Sequence, residues 1–279
     1  MSSVISRQMD DYQTLALAFQ DVFGVVITED QRLGILARLN RVMQAFELDS
    51  VVELAEKMRR NIHRLNTEIL RAISEEDPKW FKHPGISRLL REYLLAHLPE
   101  EAVIWVVGCG EGSVAYSHAI DMAEAARDKG LACKPAIIAT DVSPQRLEVA
   151  RRGCYRAADL QGVADEVLTT WLSKREDLNE EFGDPRGDVW QIKPAIREMI
   201  EFRVCNLLEE SLPGASVDAI ICPDTLLYFA NAQRGEILYR LARSLKPGGV
   251  MLAGEDQTIV SDAFERVHHP AGLFYRKKA

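Results

Sequence analysis

Gly108, Gly110 and Gly112 stand at alternate positions in IWVVGCGEGSVAYS, residues 104–117, between an apolar run and a helical pattern. Asp141 closes the next apolar run, PAIIATD. Glycines at a strand-to-helix turn let the backbone bend tightly and let a ligand approach without Cβ atoms in the way. A carboxylate at the following strand end can accept hydrogen bonds from both hydroxyls of a ribose. The pattern therefore points to a nucleotide-like ligand, the other reading being a purely structural turn. Asp141 and the KPGG turn at 246–249 favour the ligand. The spacing departs from the dinucleotide fingerprint, which would put its third glycine at the position of Ser113 and its acid ~20 residues on.

Those residues need a sheet beneath them, and the chain from residue 102 onward supplies one. AVIWVVG, PAIIATD, ASVDAIICPD and VMLAGE read as strands. Between them VAYSHAIDMAEAARDKG reads as a helix closed by Gly130, SPQRLEVARR as a helix capped by Ser143 with Pro144 at its first position, and RGEILYRLARSLKPGG as a helix and its stop. This alternation predicts an α/β fold, a doubly wound, mostly parallel sheet with helices on both faces. Residues 155–203 interrupt it with a helix-like run, LQGVADEVLTTWLSKRE, a turn-rich loop, EEFGDPRGD, and two strand-like runs, VWQIKPAI and MIEFRVC. The segment is too long for a simple connection and is expected to be an inserted subdomain. Its RGD triplet is read as loop charge.

Ahead of the sheet, residues 11–73 place apolar side chains at three- and four-residue steps, with Asp30 and Ser50 as N-caps. Residues 1–76 are thus expected to form a helical domain, 77–85 (DPKWFKHPG) a linker, and 86–279 the ligand-binding domain, entered through the helix ISRLLREYLLAHLP.

Composition narrows the partners. The 279 residues carry 47% hydrophobic and 27% charged side chains and a formal charge of -8, which repels phosphate backbones, so no nucleic-acid partner is expected. MSSVISRQMDDY lacks a signal-peptide core and no run approaches ~18 apolar residues, so the reading is cytoplasmic with no membrane insertion. Five cysteines without a C-x-x-C pair fit reduced thiols, and His268 with His269 lack further ligands, so no metal is expected. A monomer is expected.

The glycine turn followed by a later strand-end acid resembles the class I S-adenosylmethionine-dependent methyltransferases, a Rossmann-like fold. Over about residues 15–275 the order ATDVSPQRLEVARRGCYR, EFRVCNLLEE, VDAIICPDTLLYF and ILYRLARSLKPGGVMLAGE resembles the CheR family, the chemoreceptor protein-glutamate O-methyltransferases of bacterial chemotaxis. The resemblance implies an all-helical N-terminal domain, a linker contributing to the site and a small inserted β-subdomain. It implies S-adenosyl-L-methionine as cofactor and methyl transfer to receptor glutamates. The partner would be the receptor's cytoplasmic helices, meeting a basic surface that includes Arg38, Arg41, Arg59, Arg60 and Arg64.

By the same resemblance Asn206 and Leu207 join Gly108, Gly110, Gly112, Asp141 and Asp224 in holding the cofactor, while Tyr228 and Lys82 are the catalytic positions. A glutamate acceptor, with a reference pKa of about 4.3, is already ionised and needs no general base. What helps is a dry, aligning pocket with a cation and a hydroxyl to hold the carboxylate. The chain departs from the family pattern where Lys82 replaces an arginine, Pro78 a threonine, Ser113 a glutamate, and Pro223-Asp224 an Arg-Asn pair. The alternative implied is a catalytically weakened CheR-like protein that acts as a receptor-binding or signalling scaffold.

Overall fold

The computed structural model describes residues 2–278 apart from 24, 26, 28–31, 61, 74–78, 131–134, 183–187, 211, 213, 230 and 256; at 2–10, 63, 71, 228, 231 and 232 it describes the backbone alone. The chain forms two compact units, Met1–Glu75 with Leu226–Ile237, and Glu76–Thr225 with Leu238–Ala279.

The first unit contains α1 (Ser2–Phe23), α2 (Arg32–Ala45), α3 (Val51–Arg59) and α4 (His63–Ile73). Tyr12, Leu15, Phe19 and Phe23 recur at helical spacing on α1 and meet Leu39, Leu54, Met58, Leu65 and Ile69 in one buried core. Ser50 caps α3 as its sequence suggests: its Oγ accepts from Glu53 N at 3.2 Å, and the Glu53 carboxylate accepts from Asp49 N at 3.1 Å. Asp30 lies outside the described residues.

The second unit opens with a helix that the sequence presents as regular but that contains a π-turn. It runs through α5 (Pro84–Leu89), the π-turn Leu90–Leu94 and α6 (Leu95–His97). The wider turn lets Leu89, Leu90, Leu94 and Leu95 all face inward, where an unbroken α-helix would swing one of them to solvent. There follow β1 (Val103–Val107), α7 (Ser113–Lys129), β2 (Ala136–Asp141), α8 (Pro144–Arg152), β3 (Cys154–Arg156), α9 (Asp165–Trp171), β4 (Leu172–Lys174), β5 (Val189–Ile192), α10 (Pro194–Arg197) and β6 (Ile200–Val204). β7 (Val217–Cys222), α11 (Asn231–Ser244), whose residues as far as Ile237 belong to the first unit, β8 (Leu245–Ala253), β9 (Phe264–His269) and β10 (Gly272–Lys277) complete the chain.

Seven strands form one sheet in the order β6-β2-β1-β7-β8-β10-β9. The first five are parallel and the last two add an antiparallel hairpin, so the sheet is doubly wound about β1. The central strand buries Trp105 completely and satisfies its indole N–H on Thr140 Oγ1 at 2.8 Å.

Three sequence expectations shift. MIEFRVC supplies β6, which pairs in parallel with β2 in the large sheet rather than belonging to the insertion, because Ile200 and Phe202 turn toward its core. The small sheet holds only β3, β5 and β4, in antiparallel order. The helix read through LQGVADEVLTTWLSKRE is confined to α9, since Leu172 turns extended and starts β4. Finally, KPGG does not merely stop α11: Leu245 already pairs with Val217, and 246–249 bulge out before Val250 resumes pairing at Ala219. Among the described residues no helix is long and apolar enough to cross a membrane.

Leu54→Ala is expected to destabilise the helical unit by roughly 2–5 kcal/mol, because it leaves a cavity in that core. Urea denaturation followed by far-ultraviolet circular dichroism would measure it.

Candidate functional site

The parallel register brings four strand ends level. Val107 lies beside Thr140, Asp141 beside Val204, and Val106 beside Ile221, so the segments after β1, β2, β6 and β7 emerge at one edge of the sheet. The winding direction reverses between β1 and β7, the position where open α/β sheets leave a crevice for a ligand.

The turn after β1 needs all three of its glycines in left-handed backbone, φ 69, 56 and 98 for Gly108, Gly110 and Gly112. Three of its amides have defined acceptors. Cys109 N donates to Thr140 O at 2.9 Å, Gly112 N to Cys109 O at 2.9 Å, and Gly110 N to the Asp141 carboxylate at 2.9 Å. The other Asp141 oxygen accepts from Ser143 N, also at 2.9 Å. Asp141 is buried. Each of its oxygens carries one backbone bond, and a carboxylate oxygen has capacity for a second. Gly112 is also the N-cap of α7 and brings no capping side chain, so among the described residues no cap side chain engages the first turn of this 17-residue helix. The Cys109 thiol within the turn is pushed well above its ordinary pKa, chiefly by burial, and stays neutral.

On the far side of Asp141, Cys205 N donates to its carbonyl at 3.0 Å and delivers Asn206 at the end of β6. Asn206 Oδ1 accepts from Leu208 N at 3.1 Å and so folds its own turn. Leu207 is buried, and its carbonyl accepts from Arg240 at 3.0 Å.

The linker reaches this edge through a reversal. Phe81 holds a left-handed backbone, φ 49, and its N–H donates to Ser117 Oγ on α7 at 3.0 Å. Lys82 and His83 follow, and both engage Asp224: Lys82 Nζ at 2.7 Å and His83 Nε2 at 3.1 Å from the same Oδ2. Burial alone would raise the Asp224 pKa, but the bonds from His83 and Lys82 outweigh it and hold the group down at about 2. The side chains of Lys82 and Asp224 are about one third exposed, so the pair is half-buried and reaches solvent.

The sequence-derived residues thus fall into two groups. Gly108, Gly110, Gly112, Asp141 and the segment of Asn206 and Leu207 gather around one strand end. Lys82 and Asp224 form an ion pair with each other, which the sequence did not suggest. The backbone of Tyr228 closes the 3-10 turn Thr225–Tyr228, but its side chain lies outside the described residues, as does Pro78. Ser113 opens α7, and its carbonyl accepts from Ser117 Oγ at 2.7 Å. Pro223 holds Gly254 N on its carbonyl at 3.0 Å, a bond to the loop after β8. Two residues escaped the sequence reading. His83 was hidden because its partner lies 141 positions away. Thr225, whose Oγ1 donates to Val107 O at 3.3 Å, fills the space beside Gly108.

The family model described as "CheR methyltransferase, SAM binding domain" matches residues 77–272. The chain is 27% identical over 278 residues to "Chemotaxis protein methyltransferase 1" of Pseudomonas aeruginosa, covering 96% of this chain and 98% of that protein. It is 26% identical over 280 residues to "Chemotaxis protein methyltransferase Cher2" of Pseudomonas putida, with coverage of 96% and 98%. To the "Chemotaxis protein methyltransferase" of Vibrio anguillarum it is 27% identical over 287 residues, with coverage of 99% and 100%.

Two outcomes follow from the geometry. Gly108→Ala would strain a φ of 69 and drive its Cβ onto Thr225 Oγ1, so it is expected to destabilise the unit by more than about 1 kcal/mol in thermal unfolding. Asp224 has a folded-state pKa below its ordinary 3.8, so its contribution to stability is present above pH 3.8 and is lost as pH falls through about 2. Asp224→Asn should flatten that acid limb relative to the parent in a pH series of denaturation curves.

Proposed function

Because the chain belongs to the CheR methyltransferase family, a family of S-adenosylmethionine-binding domains, we propose that it transfers the methyl group of that cofactor to glutamate side chains of a chemoreceptor-like protein in a chemosensory pathway. The observation that carries the reading is the glycine turn tied to Asp141 beside the open N-terminus of α7, with a lysine at the same sheet edge.

Bound S-adenosylmethionine supplies a methyl group activated by its sulfonium. The residues present suit such a ligand. Asp141 keeps acceptor capacity for ribose hydroxyls, and the first-turn amides of α7 suit the carboxylate of the methionine moiety. Asn206, Leu207 and Asp224 complete the cofactor side in this reading, and Tyr228 with Lys82 serves the acceptor. An ammonium has three donors, of which Asp224 takes one, so Lys82 keeps two for an acceptor carboxylate. Because that carboxylate is already ionised, no residue has to remove a proton; the chain's work is to hold it in line and exclude water. Receptor helices are the proposed partner of the helical unit. Part of its basic surface is spent internally, with Arg59 on Asp21 at 3.4 Å and Arg38 on Ile73 O at 3.1 Å.

The Lys82–Asp224 pair favours one second reading, a weakened relative that binds its receptor without turnover because its cation is already neutralised.

Isothermal titration with S-adenosylhomocysteine is expected to give micromolar or tighter binding that is abolished in Asp141→Ala. No heat from the folded parent chain would overturn the enzyme reading. With labelled cofactor and a receptor cytoplasmic fragment, Lys82→Ala is expected to slow methyl transfer roughly 10–100-fold, the loss of one bond to a charged group. Cofactor binding with no transfer to any fragment would select the scaffold instead.

A further inference from the structure

The turn between β1 and α7 has a support that comes from the inserted sheet. Tyr155, on β3, is completely enclosed, and its hydroxyl donates to the carbonyl of Glu111 at 2.6 Å. Glu111 lies between Gly110 and Gly112. The peptide that joins Glu111 to Gly112 is therefore held at both ends, its N–H on Cys109 O at 2.9 Å and its C=O on Tyr155. The approach is close enough that a Cβ on Gly112 would stand 2.9 Å from the Tyr155 hydroxyl. Burial pushes the Tyr155 pKa well upward, so the hydroxyl keeps its proton and remains a donor.

The ring itself has no freedom. Trp80 from the linker meets it edge to face at 5.0 Å, Tyr116 of α7 does so at 6.3 Å, and the Trp80 indole N–H is anchored on Asp159 O at 3.0 Å. Tyr116 offers an internal comparison. It is equally buried and spends its hydroxyl on Ala150 O at 2.7 Å, a bond that does not touch the turn.

We propose that Tyr155 is a positioning residue for cofactor binding: through its bond to Glu111 the inserted sheet fixes the orientation of the glycine turn. This rests on the cofactor reading above. It makes β3 a structural part of the cofactor site rather than only the start of an appendage.

The test is isothermal titration of S-adenosylhomocysteine into the full chain and into Tyr155→Phe and Tyr116→Phe, with thermal unfolding of each. Both variants lose one buried hydrogen bond and should melt earlier by similar amounts. Tyr155→Phe is expected to bind roughly tenfold more weakly, on the scale of one lost bond to a buried carbonyl, while Tyr116→Phe stays within about twofold of the parent. Amide hydrogen exchange of segment 108–113 in the ligand-free chain gives a second readout, faster in Tyr155→Phe than in Tyr116→Phe. Parent-like affinity and exchange in Tyr155→Phe, or equal weakening by both variants, would overturn the inference. A parent chain that binds nothing fails the cofactor reading instead, and this inference with it.

Discussion

The Asp141 carboxylate is the point on which the site depends. One oxygen holds the amide of Gly110 in the turn after β1, the other the amide of Ser143 at the start of α8, and its own carbonyl holds Cys205 after β6. Three separate chain segments are thereby fixed relative to one strand end. Leaving those buried amides unpaired would cost their full desolvation penalty. A residue chosen for its ability to hold a ribose therefore already has structural work in the ligand-free chain. Loss of binding on its removal mixes both causes, so a folded control is needed beside it.

Around Asp224 the electrostatics are arranged differently. Lys82 and His83 converge on one oxygen, Asp224 Oδ2, and the resulting low pKa keeps the carboxylate charged across the whole physiological range. An arginine at the linker position would engage two oxygens of a planar partner, whereas a lysine offers a point charge with three rotatable donors. The replacement thus changes what the cation can do at once: it can pair with Asp224 and still turn a donor outward. Being about one third exposed, the pair is screened by solvent and salt, which limits how much it stabilises the fold.

Much of this was legible in the sequence because its determinants are local. Alternating apolar runs and helical periods gave the strands, Ser143-Pro144 gave the start of α8, Gly130 gave the end of α7, and the glycine spacing marked the tight turn that Asp141 ties down. What escaped was set by partners far along the chain. MIEFRVC reads equally well as an insertion strand or a sheet strand, and only its pairing with β2 decides. His83 has no local mark that distinguishes it from a solvated linker residue. The bulge at 246–249 looks like a helix stop because Lys246 and the glycines behave as one, yet Lys246 Nζ reaches Asp218 at 2.8 Å and Leu245 is already in register.

The glycines themselves show why a correct motif can have an incomplete reason. Bare backbone for a ligand was the sequence argument, but the nearest atoms to each missing Cβ belong to the protein. Gly108 abuts Thr225, Gly110 abuts the end of the Arg146 side chain, and Gly112 abuts Tyr155, Ala150 and Tyr116. At position 110 the neighbour is the end of a long side chain, and the φ of 56 is a constraint of its own. At 108 and 112 both the backbone conformation and the neighbours forbid a side chain. The turn is tight because the segment after β7, α8 and the inserted sheet are packed against it, and that packing fixes the backbone that leads into α7.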